Sequence, residues 1–67
     1  MISVTINGKQ YELDGPTRVV DYLEDRGLAN RSLAVAINGD VLPRGEFAGV
    51  TIRDGDQVEI VRPVGGG

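Results

Sequence analysis

Apolar and polar residues alternate at the start of the chain, which is the pattern of strands that bury one face. Residues 2–6 read Ile-Ser-Val-Thr-Ile, and a period of two places the apolar side chains on the same side of a strand. Asn7-Gly8 follows, and this pair suits the positive φ angles of a type I′ turn. Tyr11 and Leu13 continue the alternation over residues 10–13. The sequence therefore predicts an N-terminal β-hairpin.

A helical pattern replaces the alternation after Asp14-Gly15-Pro16, because glycine and proline interrupt a strand. Thr17 is the predicted N-cap, since its hydroxyl can accept a hydrogen bond from an amide of the first turn. Gly27 stands where a left-handed residue closes a helix, so that Leu28 comes within reach of Leu23 in a Schellman motif. About ten residues of helix are expected, with an apolar stripe formed by Val19, Val20, Tyr22 and Leu23.

Strand patterns return after the helix. In residues 33–37 large apolar side chains alternate with Ala34 and Ala36, which leaves small residues on the second face of a strand. Phe47 is the apolar anchor of an irregular turn that begins at Pro43. Further extended segments are predicted over residues 41–42, 50–52 and 57–61.

The order of these elements defines a fold class. A single helix that follows a hairpin can cover only one face of a sheet, which makes the protein α+β. The best fit is a β-grasp (ubiquitin-like) roll, a mixed four- to five-stranded sheet with one main helix packed on one face. The first and last strands are expected to pair in parallel at its centre. Residues 1–62 form this predicted domain, and residues 63–67 form a flexible glycine-rich tail.

Composition excludes several function classes. The chain has 67 residues, enough for one domain, and it has neither cysteine nor histidine, so no disulfide, bound metal or cofactor is expected. A net charge of −3 with the acids scattered disfavours nucleic-acid binding, which needs a basic surface. No long apolar run is present, so we expect no membrane contact and a cytoplasmic protein that is monomeric when free.

Independent catalysis is disfavoured on the same grounds. Without histidine or cysteine, no side chain has an ordinary pKa near neutrality. Lys9 is the only lysine, and no phosphate-binding loop surrounds it. The protein is therefore expected to be a substrate or partner of other enzymes.

The chain ends in Gly65-Gly66-Gly67, directly after the last predicted strand. Glycine has no Cβ, so a glycine tail can enter a slot too narrow for other residues. Residues 62–67 extend to about 20 Å, taking ~3.3 Å per residue, which would carry the terminal carboxylate into a partner's buried site. Val64, Gly65 and Gly66 are the predicted threading residues, and Gly67 is the predicted reactive end.

Four motifs in this order resemble the ThiS family, the ubiquitin-like sulfur carriers of thiamin thiazole synthesis. They are the run Leu33-Ala34-Val35-Ala36-Ile37-Asn38-Gly39, the run Val41-Leu42-Pro43-Arg44 with Gly45-Glu46-Phe47, the run Asp54-Gly55-Asp56-Gln57-Val58-Glu59-Ile60-Val61, and the terminal glycines. Two features depart from the pattern: Leu42 stands where valine is more usual, and Arg62-Pro63-Val64 is similar to MoaD, the small subunit of molybdopterin synthase.

The resemblance implies a chemistry for the tail. An E1-like adenylyltransferase (ThiF) would transfer AMP from ATP, with magnesium, to the Gly67 carboxylate. A persulfide derived from a cysteine desulfurase would then displace AMP and leave a C-terminal thiocarboxylate. Thiazole synthase (ThiG) would take the sulfur. ATP and magnesium would be bound by the partners.

Docking needs a surface besides the tail, because ordering each glycine costs on the order of 1–2 kcal/mol. Ala34, Ala36 and Val61, on the sheet face away from the helix, are candidates, together with Arg44 and Phe47. Phe47 is more simply explained as a core residue, whereas a partner contact and a local pair with a carbonyl or carboxylate explain Arg44 equally well. Three alternatives to a thiazole carrier remain: a MoaD-like carrier for molybdopterin or another pathway, a ubiquitin-type protein modifier, and a structural interaction domain.

Overall fold

The last strand of the chain is the central strand of the fold. The computed structural model describes residues 1–29 and 32–62. In chain order the elements are β1 (Ile2–Ile6), β2 (Lys9–Leu13), β3 (Thr17–Arg18), α1 (Val19–Asp25), β4 (Ala34–Ile37), β5 (Asp40–Leu42), a 3-10 helix (Arg44–Glu46), β6 (Thr51–Ile52) and β7 (Gln57–Val61).

The main sheet is mixed and has five strands in the order β2-β1-β7-β4-β5. β1 and β7 run parallel, with Ile6 opposite Val58, whereas β1 pairs with β2, β4 with β7 and β4 with β5 in antiparallel fashion. The predicted hairpin and the predicted parallel centre are both confirmed. The arrangement is a β-grasp roll, with α1 in the crossover between the parallel strands.

The predicted N-cap at Thr17 is wrong. Thr17 instead begins β3, which pairs with β6 in a separate two-stranded ladder, and its hydroxyl donates to the Gly15 carbonyl at 2.8 Å. Arg18 occupies the N-cap position without a side-chain capping bond. Carbonyls from a distant segment accept from the first helical amides, Val19 to Val50 at 2.9 Å and Val20 to Phe47 at 3.1 Å. Tertiary contacts therefore replace the local cap.

The C-terminal end of α1 closes as predicted. Gly27 has a φ of +73°, and its amide donates to the Glu24 carbonyl at 3.1 Å. The Leu28 amide donates to the Leu23 carbonyl at 2.7 Å. These two bonds define a Schellman motif, so that prediction is confirmed, although α1 itself is shorter than expected.

The core lies between α1 and one face of the sheet. Its largest fully buried side chain is Ile52, and no charged or polar residue of the described chain is buried with it. The buried apolar residues are Val4, Ile6, Val19, Tyr22, Leu23, Val35, Ile37, Phe47, Ile52 and Val58. Apolar packing and backbone hydrogen bonds hold this small body together, since it has no cysteine.

Two strands begin at residues other than those the sequence predicts. β4 begins at Ala34 rather than at residue 33, and β5 begins at Asp40, which pairs with Ile37 across the tight turn.

Among the described residues no helix is long and apolar enough to cross a membrane. Within that same part of the chain, no group of three acidic, cysteine or histidine side chains could hold a metal ion.

Candidate functional site

β7 runs through the middle of the sheet and leads directly to the C-terminal tail. Val61 is its last residue, and Arg62, the last residue that the structure describes, is exposed. The predicted sulfur-carrying residue Gly67 and the predicted threading residues Val64, Gly65 and Gly66 lie outside the described residues. The site that can be built from the structure is therefore the surface around the end of β7.

Asn7 holds the end of β7 on the side where the neighbouring strand has stopped. Its φ of +52° places it in the turn after β1, and its amide N–H donates to the Val58 carbonyl at 2.9 Å. The side chain then contacts Ile60 twice. Oδ1 accepts from the Ile60 N–H at 2.9 Å, and Nδ2 donates to the Ile60 carbonyl at 3.1 Å. The Asn7 amide therefore imitates a backbone peptide and extends the pairing of β7.

Asn38 plays the matching role at the beginning of β7. Its amide donates to the Gln57 carbonyl at 2.7 Å, and its Oδ1 accepts from the Gln57 N–H at 2.9 Å. Its Nδ2 donates to the Asp56 carboxylate at 3.0 Å. Each Asn-Gly turn thus holds one end of the strand that carries the tail. Sequence reasoning identified the Asn7-Gly8 turn and missed these bonds, because asparagine is also the expected residue for turn geometry alone.

The sheet face away from the helix carries a shallow apolar hollow beside the end of β7. Ala34 lies opposite Val61 and Ala36 opposite Glu59 in the β4–β7 pairing. Val41 lies opposite Ala36 on β5 and is 74% exposed. These residues line a hollow of about 150 Å³. The structure therefore brings together the predicted residues Ala34, Ala36 and Val61, and it adds Val41, which sequence reasoning missed.

Arg44 and Phe47 lie on a different surface. They line a hollow of about 250 Å³ with Val20 and Leu23 of α1, and none of the described residues around it belongs to the β4–β7 face. Phe47 is only 8% exposed and belongs to the core, as the simpler interpretation predicts. The five candidate docking residues thus divide between two separate surfaces.

A third hollow, of about 500 Å³, lies between the end of α1 and the end of β7. The charged residues among the described part of its lining are all cations: Lys9, Arg26 and Arg62. Arg26 places its guanidinium carbon 5.1 Å from the centre of the Tyr22 ring, a cation–π contact. Sequence reasoning missed this hollow, because the three cations are far apart in the chain and nothing local links them.

Comparison with known proteins assigns the chain to a family. The family model for ThiS matches residues 4–67. The chain belongs to the ThiS family. The match extends through the glycine tail, and of the two carrier families that the C-terminal residues resemble, it supports ThiS.

Solved structures of the family share the whole fold. The crystal structure of a thiamine biosynthesis protein (ThiS) from Geobacter metallireducens is 36% identical, with a TM-score of 0.85 over 98% of this chain and 100% of that one. The solution NMR structure of a thiamine biosynthesis protein from the same organism gives a TM-score of 0.78. The β-grasp assignment therefore agrees with a relative from this organism that was solved by two methods.

Sequence relatives of this ThiS-family chain fall into two kinds. A thiazole synthase of Paramagnetospirillum magneticum is 33% identical over 66 residues, and another of Magnetococcus marinus is 30% identical. These alignments cover 98% of this chain. The chain spans only 20% of the length of each thiazole synthase. An uncharacterized protein, ycf40, of Porphyra purpurea is 35% identical over 93% of its length.

Proposed function

We propose that the protein is the sulfur carrier of thiamin thiazole biosynthesis, with the carboxylate of Gly67 as the group that carries the sulfur. The observation that carries this proposal is membership of the ThiS family through to the last glycine. The position of β7 supports it, because a central strand held at both ends is a rigid base for the residues that follow it in the sequence. The protein acts as a carrier and a substrate, and the enzymes that use it supply the catalysis.

The proposed chemistry begins with activation of the carboxylate. A carboxylate oxygen of Gly67 attacks the α-phosphorus of ATP, pyrophosphate leaves, and an acyl-adenylate forms. An E1-like adenylyltransferase (ThiF-like) binds the ATP and magnesium for this step. Activation is necessary because a carboxylate oxygen is a poor leaving group, whereas AMP is a good one.

Sulfur then enters from a persulfide on a partner protein, with a cysteine desulfurase as its source. The outer sulfur attacks the acyl carbon and AMP leaves. A partner thiol next cleaves the sulfur–sulfur bond, which makes a disulfide on the partner and releases the thiocarboxylate on Gly67. Every cysteine that takes part in these reaction steps belongs to a partner, since the chain has none. A ThiG-like thiazole synthase takes the sulfur from the thiocarboxylate.

The sequence relatives support thiazole synthase as the acceptor. About a fifth of each of two proteins named thiazole synthase aligns with this chain. Such proteins join a carrier-like segment and further sequence in one polypeptide, which favours direct contact between a separate carrier and its own synthase.

The uncovered sheet face is the proposed docking surface for these partners. Ala34 and Ala36 leave room above the backbone of β4, and the neighbouring Val41 and Val61 are exposed, at 74% and 56%. Exposed apolar side chains around a small hollow beside the tail suit a transient interface. Arg44 and Phe47, on the other surface, remain candidates for a second contact, with Phe47 acting through the shape of its loop.

Intact mass spectrometry of the protein isolated from its native host tests the proposal. A fraction of the molecules should carry sulfur in place of one oxygen, and fragmentation should locate the exchange on Gly67. Treatment with a thiol-alkylating reagent should label only that fraction. Isopeptide linkage of Gly67 to lysines of other proteins, with no thiocarboxylate form, would instead favour a protein modifier.

A further inference from the structure

The hollow at the end of α1 has a charge opposite to that of the protein as a whole. The chain has a net charge of −3, yet three of its seven lysines and arginines line this one hollow. None of the described residues that line it is acidic. Apart from the cations and Asn7, the described lining residues are apolar or aromatic: Ile6, Tyr11, Tyr22, Leu28, Leu33 and Ile60.

The neighbouring hollow has the reverse character. It is lined by three carboxylates, those of Asp14, Asp21 and Asp25, of which Asp21 pairs with the Arg18 guanidinium at 2.9 Å. Tyr22 and Arg26 line both hollows, so the sign of the charge changes across the end of α1. A partner with a negative loop would be attracted to one hollow and repelled from the next, which fixes its register on this side of the protein.

The cationic hollow also lies at the end of β7. Ile60 and Arg62 line it, so one wall is the segment that immediately precedes residues 63–67 in the sequence. If the tail enters an enzyme's active site, as the proposed function requires, that enzyme must cover the surface around the point of departure. The chemistry of the hollow then predicts the chemistry of the enzyme surface that meets it.

We infer that this hollow is a docking site for the adenylating enzyme, and that it receives an apolar side chain flanked by carboxylates. The apolar walls would hold the inserted side chain, and Lys9, Arg26 and Arg62 would pair with the carboxylates around it. The stacking of Arg26 on Tyr22 limits the positions of its guanidinium before the partner arrives, which reduces the entropy lost on binding. This inference rests on the proposed function, and it specifies a partner surface that the function alone does not.

Steady-state kinetics of adenylation test the inference. The full chain is titrated against the E1-like enzyme of the same host, and release of pyrophosphate is measured. Arg26→Glu and Lys9→Glu should each raise KM for the carrier about tenfold with little change in kcat, which is the pattern of lost ground-state binding. Arg26→Gln should give a smaller rise in the same direction. The wild-type KM should also rise with ionic strength, and less steeply in the two charge-reversal variants.

Arg53→Glu is the matched control. It changes the net charge by the same amount, but Arg53 is exposed and precedes β7 at the end opposite to the tail. Its KM should stay close to that of the wild type. Thermal unfolding of every variant shows whether a change in KM reflects loss of folded protein, and Lys9→Glu provides an independent reading if Arg26→Glu is destabilised.

Three results would contradict the inference, and they are distinguishable. An equal change in KM for Arg53→Glu and the hollow variants would reduce the effect to net charge. Nuclear Overhauser contacts between the Tyr11 or Tyr22 ring and glycines 65–67 in the free full chain would make the protein's own tail the occupant. Failure of the wild-type chain to be adenylated at all would overturn the proposed function, and the inference with it.

Discussion

Asn7 and Ile60 are joined by a reciprocal pair of hydrogen bonds, in which one side-chain amide binds both the N–H and the carbonyl of one backbone residue, at 2.9 and 3.1 Å. β1 ends at Ile6, opposite Val58, so β7 has no strand beyond that point on this side. The Asn7 side chain takes the place of the missing strand. On this side the pairing at the end of β7 therefore depends on one side chain, whereas on the other side Val61 still pairs with Ala34 of β4.

Removal of the Asn7 side-chain amide should weaken the hydrogen bonding at the end of β7 without disturbing the turn after β1. Glycine is the right replacement, because Asn7 has a positive φ that alanine would adopt only with strain. Asn7→Gly should cost about 1 kcal/mol of unfolding free energy, the usual net value for exposed hydrogen bonds of this kind. Hydrogen exchange at the Ile60 amide should accelerate well beyond the change expected from stability alone.

Asn38→Gly is the control for that experiment. It removes an equivalent side-chain bond at the other end of the strand, to the Gln57 amide. Exchange should accelerate at Gln57 and stay unchanged at Ile60. Equal acceleration of exchange at the Ile60 amide in both variants would mean that the Asn7 side chain does not determine the local stability of the end of β7.

A bulky residue near the terminus should block activation while leaving the fold intact. Gly66 follows β7 in the sequence and is a threading residue in the proposed function, so the melting temperature of Gly66→Leu should match that of the wild type. Adenylation should fall by on the order of 100-fold, because a leucine side chain does not fit a slot that only glycine can pass. Gly66→Ala should be intermediate. Adenylation of the leucine variant at the normal rate would refute the proposal of a narrow channel.

The apolar hollow on the uncovered sheet face makes a separate prediction. Val41 is 74% exposed, so Val41→Lys should change stability by less than about 0.5 kcal/mol. If the E1-like enzyme docks on this face, its KM for the carrier should rise about tenfold, which corresponds to ~1.4 kcal/mol of binding free energy. Gln10→Lys adds the same charge near the opposite edge of the sheet and should leave KM unaltered. A similar KM for both variants would exclude the hollow from the interface.

The backbone strain of a side chain at Gly27 can be measured apart from steric crowding. A Cβ at Gly27 would meet no atom within 4 Å, but its φ is +73°. Gly27→Ala should therefore lose about 1–2 kcal/mol of unfolding free energy from backbone strain alone. Gly15 also has open space around it and is not in the left-handed region, so Gly15→Ala should be close to neutral. Chemical denaturation measures both.

Much of the fold follows from local patterns. The alternation at residues 2–6 and the Asn7-Gly8 turn predict the hairpin, and Gly27 predicts the helix closure, because each depends on residues close in sequence. The error at Thr17 has the opposite origin. Its alternative partner, Ile52, is distant in the chain, and no local preference reveals that the amides of Val19 and Val20 have carbonyl acceptors near residues 47–50.

The candidate site divides in the same way. The glycine tail and the small residues Ala34 and Ala36 are visible in the sequence, because composition and period suffice to find them. The role of Asn7 in holding Ile60, the exposure of Val41 and the gathering of Lys9, Arg26 and Arg62 required the structure.

The sequence alone thus determined the order of the main strands and the helix, and with it the fold class, since these depend on periodicity. It also predicts the chemistry of the tail from the side chains that the chain lacks. Tertiary structure decided which surfaces surround the end of β7 and with what charge. The physical reason is the central position of β7. A strand paired with both β1 and β4 brings together residues that no sequence window contains.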